Sequence, residues 1–337
     1  MGDGNLAERL KPALNRAAEA ILLRQSEDGA IWMVSATQPE NSLIPYFANL
    51  AAIGLAAAYP FTRTRLHLQA VAKWLRWYAQ HMHPDGTMDD YYLQDGKPQP
   101  TGDCDSTDSY AATFLEALHR YFVASHDQNL LQALYPAVVK ATAAIRLTLQ
   151  EDRLTWAKPT YRVKYLMDNV EVYRGWQSAA SLAQATSRRQ EAATLRKYAE
   201  GTLRAIESSL FLENKGYYAW AMHENGVLET RLDPWYPDAM AQLMAVAWLP
   251  DSARRKRLFA WLRKQFADSL QSALKEGEVG VLVWWGMAAT GAGDRPLAQR
   301  IALKLAEEKV LSQNLPSPAE YGHILRIGGE LLATRQG

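Results

Sequence analysis

The sequence predicts an all-α fold in which six outer helices surround six inner helices, an (α/α)6 toroid. Two kinds of helical segment alternate along the chain, one amphipathic and the other apolar on most faces. The apolar segments begin at intervals of roughly 40 to 70 residues, as expected for a repeated helical hairpin. An open solenoid is the alternative, but its repeats are usually more regular and its ends carry polar caps. No Pro-, Gly- or Ser-rich linker divides the chain, so residues 1–337 are expected to form one domain.

The outer helices are the amphipathic segments, which have one apolar and one polar face. In Thr64–Met82, for example, Val71, Trp74 and Tyr78 share one side while Lys73 lies on the other. The six predicted outer helices are Leu6–Gln25, Thr64–Met82, Gln128–Gln150, Arg188–Leu210, Ser252–Leu270 and Arg295–Leu311.

The inner helices are the segments with little or no charge. A helix that is apolar on every side is buried on every side, so these segments are expected to form the core. The six predicted inner helices are Leu43–Tyr59, Asp105–His126, Asp168–Thr186, Ala239–Leu249, Val279–Thr290 and Pro318–Thr334.

Composition excludes several functional classes. The chain has 337 residues, with 37 Lys and Arg against 36 Asp and Glu, and this balance favours neither a nucleic-acid partner nor a membrane surface. A single cysteine, Cys104, excludes a disulfide framework. No signal peptide is visible, so we expect a cytoplasmic protein, or a secreted or periplasmic one if a leader precedes this sequence.

Long loops precede the inner helices, and all of them are expected at one rim of the toroid. They are rich in Gly, Asp and aromatic residues, and loops of this length are usually functional. Asn225-Gly226 in the last of them predicts a β-hairpin within Gly216–Leu232. The four loops are Gln25–Trp32, His83–Thr101, Asp152–Met167 and Phe211–Tyr236.

Carboxylates gather at the same rim, where the inner helices begin. Helix capping is one explanation, since Asp105 with Asp108 and Asp168 with Glu171 have the spacing of an N-cap and its third helical residue. Convergence into a central funnel is the other, because every inner helix of a closed toroid begins at the same end. The acids near these helix starts are Asp103, Asp105, Asp108, Asp168, Glu171, Asp238, Glu276, Glu278 and Glu320.

Aromatic residues are interleaved with these acids, a combination that suits a carbohydrate. Aromatic rings pack against the C–H face of a sugar, while carboxyl groups bind its hydroxyls or transfer protons. Glycoside hydrolysis needs two carboxyl groups, one protonated and one ionised. The predicted substrate-binding residues are Trp32, Tyr46, Asp105, Asp108, Tyr110, Trp156, Tyr161, Trp176, Trp235, Tyr236, Asp238, Trp284 and Tyr321.

Three short motifs in this register resemble the six-hairpin glycosidases, most closely those of glucoamylase type. They are Asp168-Asn-Val-Glu171-Val-Tyr-Arg-Gly175, Ser317-Pro-Ala-Glu320-Tyr321 and Leu134-Tyr-Pro-Ala-Val. The resemblance covers the whole chain and implies an (α/α)6 barrel that cleaves a glycosidic bond with inversion. It implies Glu171 as general acid, Glu320 as general base and Asp168 as the residue that orients Glu171. An inverting pair stands roughly 6.5–9.5 Å apart to leave room for water.

Other functions remain open at this point. Asp105 with Asp168 is similar to the acid pair of unsaturated-glucuronide hydrolases, which share the superfamily. Gln25–Trp32 and Asp103-Cys-Asp-Ser resemble terpene-cyclase motifs, although the third Asp of the acid motif is missing. A non-catalytic glycan-binding toroid is a further alternative. His81, His83 and Cys104 lack the spacing of a metal site, so neither a metal nor a cofactor is expected.

Overall fold

The inner helices form a closed ring. The computed structural model describes residues 4–35, 37–38, 40–232 and 235–333. Each inner helix packs on the next in chain order, and the last packs on the first, so the prediction of a toroid rather than an open solenoid is confirmed. The ring consists of α2 (Pro45–Thr62), α4 (Thr107–Ser125), α6 (Leu166–Ala185), α8 (Met240–Trp248), α11 (Val279–Gly291) and α14 (Pro318–Ala333).

The outer layer follows the predicted pattern with two interruptions. The segment predicted as Ser252–Leu270 is divided at Phe266, where the backbone leaves helical geometry and the following helix turns onto α11. The segment predicted as Arg295–Leu311 is divided at Glu307, which is extended. The outer helices are α1 (Gly4–Leu22), α3 (Arg65–His81), α5 (Gln128–Thr148), α7 (Arg189–Ala205), α9 (Ala253–Gln265), α10 (Ala267–Glu276), α12 (Arg295–Leu305) and α13 (Glu308–Leu311).

Helix α5 is long and apolar enough to cross a membrane by length and composition alone. Within the fold, 56% of its most apolar window is buried. It packs against α4, α3 and α6 as an outer helix of the toroid.

Short strands tie the rim loops together. The predicted hairpin is confirmed, because β7 (Ala221–His223) pairs with β8 (Leu228–Glu229) across Asn225-Gly226, and Gly226 has a φ of 81°. The other side of β7 pairs with β4 (Val163–Tyr165), which joins two separate rim loops. A second sheet contains β1 (Ser42–Leu43), β2 (Tyr91–Gln94) and β3 (Lys97–Pro100), and a third pairs β5 (Phe211–Leu212) with β6 (Tyr217–Tyr218).

The tightest contact in the ring lies between α2 and α14. A Cβ atom on Gly54 would stand 2.2 Å from the carbonyl oxygen of Gly322, and one on Gly322 would stand 2.4 Å from that of Leu50. Only glycine allows the two backbones to approach this closely. This contact brings the last inner helix onto the first and thereby closes the ring.

Charged side chains fill the barrel interior farther along the inner helices. Glu116 accepts hydrogen bonds from Arg174, at 2.9 Å and 2.5 Å, and lies 3.3 Å from Arg326. Burial opposes the charge of Glu116, but Arg174 and Arg326 overcome it and lower the pKa of that carboxyl. Since Trp248 lies beside both arginines, this cluster connects α4, α6, α8 and α14.

Candidate active site

Three cavities lie side by side at the rim where the inner helices begin. The Trp220 cavity, of about 610 Å³, is lined by Lys158, Tyr161, Tyr165 and Trp220 among others. The Asp168 cavity occupies about 480 Å³ and the Glu320 cavity about 440 Å³. Residues of the loops 83–101, 152–167 and 211–236 line the Trp220 and Asp168 cavities, which confirms that these loops meet at one rim. We call the three cavities together the groove.

Asp105 and Asp168 line the same two cavities. Helix α6 begins at Leu166, which places Asp168 in its first turn, whereas Asp105 precedes α4 and is exposed. Burial raises the pKa of Asp168 well above its usual value, and the neighbouring Asp108 and Asp105 raise it further. Asp168 is therefore expected to hold a proton at a pH where an exposed carboxyl has lost it.

One serine hydroxyl joins Asp168 to Asp108. Ser106 Oγ lies 2.6 Å from Asp108 Oδ1 and 3.0 Å from Asp168 Oδ2, but a hydroxyl has a single hydrogen to donate. Both bonds can exist when one carboxyl is protonated and donates in turn. Burial raises the pKa of Asp108 to about 6, which is consistent with a shared proton. Asp108 also accepts a hydrogen bond of 2.5 Å from Thr155 Oγ1.

Glu171 lies behind the wall of the groove. Its side chain is buried, and its Oε1 accepts a 2.7 Å hydrogen bond from the hydroxyl of Tyr46, which lines both the Asp168 and the Glu320 cavities. Burial raises the pKa of Glu171 well above its usual value, and Asp168 raises it further, against the bond from Tyr46. Glu171 is not among the residues that line the three cavities, and the hydroxyl of Tyr46 connects its carboxyl group to them.

Glu320 lines a different part of the groove. Its carboxylate accepts hydrogen bonds from the backbone N–H of Ser317, at 3.1 Å, and from the Ser317 hydroxyl. This is the pattern of a capping box, so the capping explanation describes Glu320 well. Glu320 thus lines a cavity together with Tyr46, whereas Glu171 lines none of the three and is bonded to the hydroxyl of Tyr46.

Several predicted substrate-binding residues do line the groove. Tyr110 also donates a 2.8 Å hydrogen bond to Asp90, whose pKa burial raises to about 6. The predicted residues that line it are Tyr46, Asp105, Tyr110, Tyr161, Trp235, Tyr236 and Trp284.

Others are corrected by the structure, which buries them away from the groove. Trp32 donates to Ser26 inside its own loop, and Trp176 stacks on Tyr198 of outer helix α7 with ring centres 4.9 Å apart. Tyr321 donates to the carbonyl of Gln313 under the guanidinium of Arg24. These are packing roles. Asp108 and Asp238 are also buried, and Trp156 lies under Arg162 without lining any of the three cavities.

Two residues that line the groove, Asp90 and Trp220, were not predicted from the sequence. Both lie in long rim loops, and the length of these loops already indicated a functional role that could have identified them. His81 and His83, the histidines weighed as metal ligands, contact other side chains. The ring of His81 stacks on Trp77, and Nε2 of His83 lies 3.2 Å from Oδ2 of Asp89. Within the described ranges, His, Cys, Asp and Glu side chains form no group of three able to hold a metal.

Comparisons with known proteins bear on the fold. No protein-family model matches the sequence, and no curated protein matches it either. An α-amylase from Clostridium perfringens has a similar structure, with a TM-score of 0.63 at 10% identity over 95% of this chain and 97% of that one. A β-1,3-1,4-glucanase from Paenibacillus sp. X4 is also similar in structure, with a TM-score of 0.67 at 10% identity over 98% of this chain and 93% of that one.

A protein described only as a glycosidase is similar as well, with a TM-score of 0.65 at 12% identity over 98% of this chain and 99% of that one. All three alignments span nearly the whole of both chains. Together with the closed ring of inner helices, they show that the chain has the (α/α)6 fold of the six-hairpin glycosidases.

Proposed function

We propose that the chain is a glycoside hydrolase in which Glu171 is the general acid. The observation that carries the proposal is a buried carboxyl of raised pKa, bonded to a tyrosine that lines a carbohydrate-sized groove. A general acid must hold its proton near neutral pH, and burial beside another acid is how enzymes achieve this. The similar folds of an amylase and a glucanase support the same reaction class.

Asp105 is proposed as the general base of an inverting reaction. It is exposed in the cavity that Asp168 and Tyr46 line, and Asp105, Asp168 and Glu171 all raise the pKa of Tyr236. As the bond from the anomeric carbon to the leaving oxygen breaks, Glu171 gives its proton to that oxygen. Water adds to the anomeric carbon and loses a proton to Asp105. Glu320, the base implied by the sequence resemblance, is the alternative.

Matched variants test these roles on an aryl glycoside and on the corresponding glycosyl fluoride. Fluoride leaves without a proton, so Glu171→Gln should lose about 100-fold or more on the aryl substrate and far less on the fluoride. Asp105→Asn should lose both activities, and Glu320→Gln neither. Glu200→Gln, on the exposed face of α7, is the control.

Two outcomes would contradict the assignment. Wild-type rates in Glu171→Gln on the aryl glycoside would remove it as the acid, leaving Asp168 as the proton donor. Retention of the anomeric configuration in the first product, followed by proton NMR, would exclude an inverting reaction. Saturable glycan binding without hydrolysis of any glycoside would instead favour the glycan-binding alternative.

A further inference from the structure

The three cavities of the groove adjoin one another and share walls. Asp168 and Tyr236 are walls of both the Trp220 and the Asp168 cavities. Phe47 and Met240 are walls of both the Asp168 and the Glu320 cavities. Since each cavity alone falls within the roughly 300–1,000 Å³ of a small-ligand site, the groove has room for several sugar units in a row.

Both ends of the groove reach solvent. At the Trp220 end, Thr160 is exposed and Tyr161 retains 47% of its surface. At the Glu320 end, Glu278 and Gly280 are exposed. The proposed acid and base lie beside the middle cavity, with groove on either side. An enzyme that removes sugar units from chain ends needs a site that is closed on one side, whereas this groove is open at both ends.

An aromatic row forms one wall at the Trp220 end. The rings of Tyr161 and Tyr165 have centres 6.4 Å apart and planes inclined by 28°, and Tyr165 and Trp220 are 6.3 Å apart at 9°. Strand β4 carries Tyr165 while Trp220 directly precedes β7, so the pairing of these strands aligns the row. All three residues line the Trp220 cavity, so they give this end of the groove an aromatic wall against which sugar units can pack.

The charge of the groove selects against anionic sugars. Among the described residues that line it, carboxyl groups predominate, namely Asp90, Asp105, Asp168, Glu278 and Glu320. Lys158 also lines it, but its Nζ donates to Asp103 at 2.9 Å and to the carbonyl of Cys104 at 2.8 Å. Even with Asp168 protonated, a uronate or sulfate placed here would face the other carboxyl groups, and like charges brought together weaken binding.

We infer that the substrate is an extended polysaccharide without anionic groups, which lies along the whole groove and is cut internally. The inference rests on the proposed glycosidase function. It differs from the glucuronide substrate that the sequence leaves open as an alternative for Asp105 and Asp168.

Substrate class and cleavage pattern can be measured together on the full chain. Mixed-linkage β-glucan, soluble starch and chitosan serve as non-anionic polymers, and polygalacturonate as the anionic one. We expect hydrolysis of a non-anionic polymer, with viscosity falling well ahead of the appearance of reducing ends, and oligosaccharides as first products. A monosaccharide as the sole early product would overturn internal cleavage, and preference for polygalacturonate would overturn the charge argument. Absence of hydrolysis of every polymer and of aryl glycosides would instead overturn the proposed function itself.

A variant of the aromatic row provides an independent check. Trp220→Ala should lower kcat/KM on the polymer about tenfold, the equivalent of about 1.4 kcal/mol, and lower it less on a disaccharide glycoside. Trp261→Ala, which removes a partly buried tryptophan on outer helix α9 stacked on Tyr217, is the matched control and should change neither. An equal loss on both substrates in Trp220→Ala would show that the row does not bind an extended chain.

Discussion

The bond from Tyr46 to Glu171 sets the protonation of the proposed acid. A hydroxyl that donates to a carboxylate stabilises the ionised form, so this bond lowers the pKa of Glu171 against the effects of burial and of Asp168. The position of one phenol oxygen thus adjusts the pH range in which the acid is active. Among the described residues of the groove, Tyr46 is the one whose side chain is hydrogen-bonded to this carboxyl group, at 2.7 Å.

Tyr46→Phe should extend activity to higher pH. Loss of the bond raises the pKa of Glu171 further, so its proton is retained over a wider range and the alkaline limb of the kcat profile moves upward. The matched control is Tyr121→Phe, which removes a 3.0 Å bond to Asp127 far from the groove. An alkaline limb that stays in place, or that shifts equally in both variants, would contradict a role for Tyr46 in tuning Glu171.

Asp108 should make the protein more stable in mild acid than at neutral pH. Its pKa is about 6 in the fold against an ordinary 3.8, so its contribution to stability is complete below about pH 4 and is lost as the pH rises through 6. Asp108→Asn, which cannot ionise, should therefore flatten the dependence of Tm on pH between 4 and 7. Calorimetry at several pH values in this range measures the dependence of Tm on pH in the wild type and the variant. A Tm that varies with pH as in the wild type would contradict a titration of Asp108 near pH 6 in the folded protein.

At the scale of the elements, the glycines of α2 and α14 fix the distance between these helices. Gly54→Ala places a methyl group against the backbone of Gly322 and should destabilise the fold by about 1–3 kcal/mol or more. Gly280→Ala, in α11 with no atom within 4 Å of the added carbon, should instead stabilise by about 0.5–1 kcal/mol. Chemical denaturation measures the free energy of unfolding of both variants. A change of the same sign in both would contradict a close contact at Gly54.

Element positions were largely predictable, whereas their ends and pairings were not. Apolar periodicity identifies α3, and a continuous apolar segment identifies α2, because each pattern matches the surface that the helix buries. It does not show the break at Phe266, which depends on how α10 meets α11, nor the pairing of β4 with β7, since these strands lie in different loops. The same limit applies to the groove. Trp176 and Trp284 both lie in apolar helices, and only the assembled ring shows that one faces α7 and the other the groove.

For the molecule as a whole, the charged cluster around Glu116 holds four inner helices together. Removal of Glu116 leaves Arg174 and Arg326 buried without their main counterion, so Glu116→Ala should cost about 3–5 kcal/mol. Glu330→Ala should cost clearly less, because Glu330 is 30% exposed and contacts the cluster from its edge. Urea denaturation measures the free energy of unfolding of the two variants. Equal losses of stability would mean that the cluster is not organised around Glu116.

The closure of the ring by α14 on α2 has a consequence for synthesis of the protein on the ribosome. Helix α2 is made early and α14 last, and the backbone contact at Gly54 and Gly322 forms only between them. The face of α2 that packs on α14 therefore has no partner until α14 has been made, although α2 can already pack on α1, α3 and α4. Contacts between residues so distant in sequence form slowly, and exposed apolar surface favours aggregation in the meantime. We therefore expect this face of α2 to be exposed to aggregation during synthesis until α14 emerges.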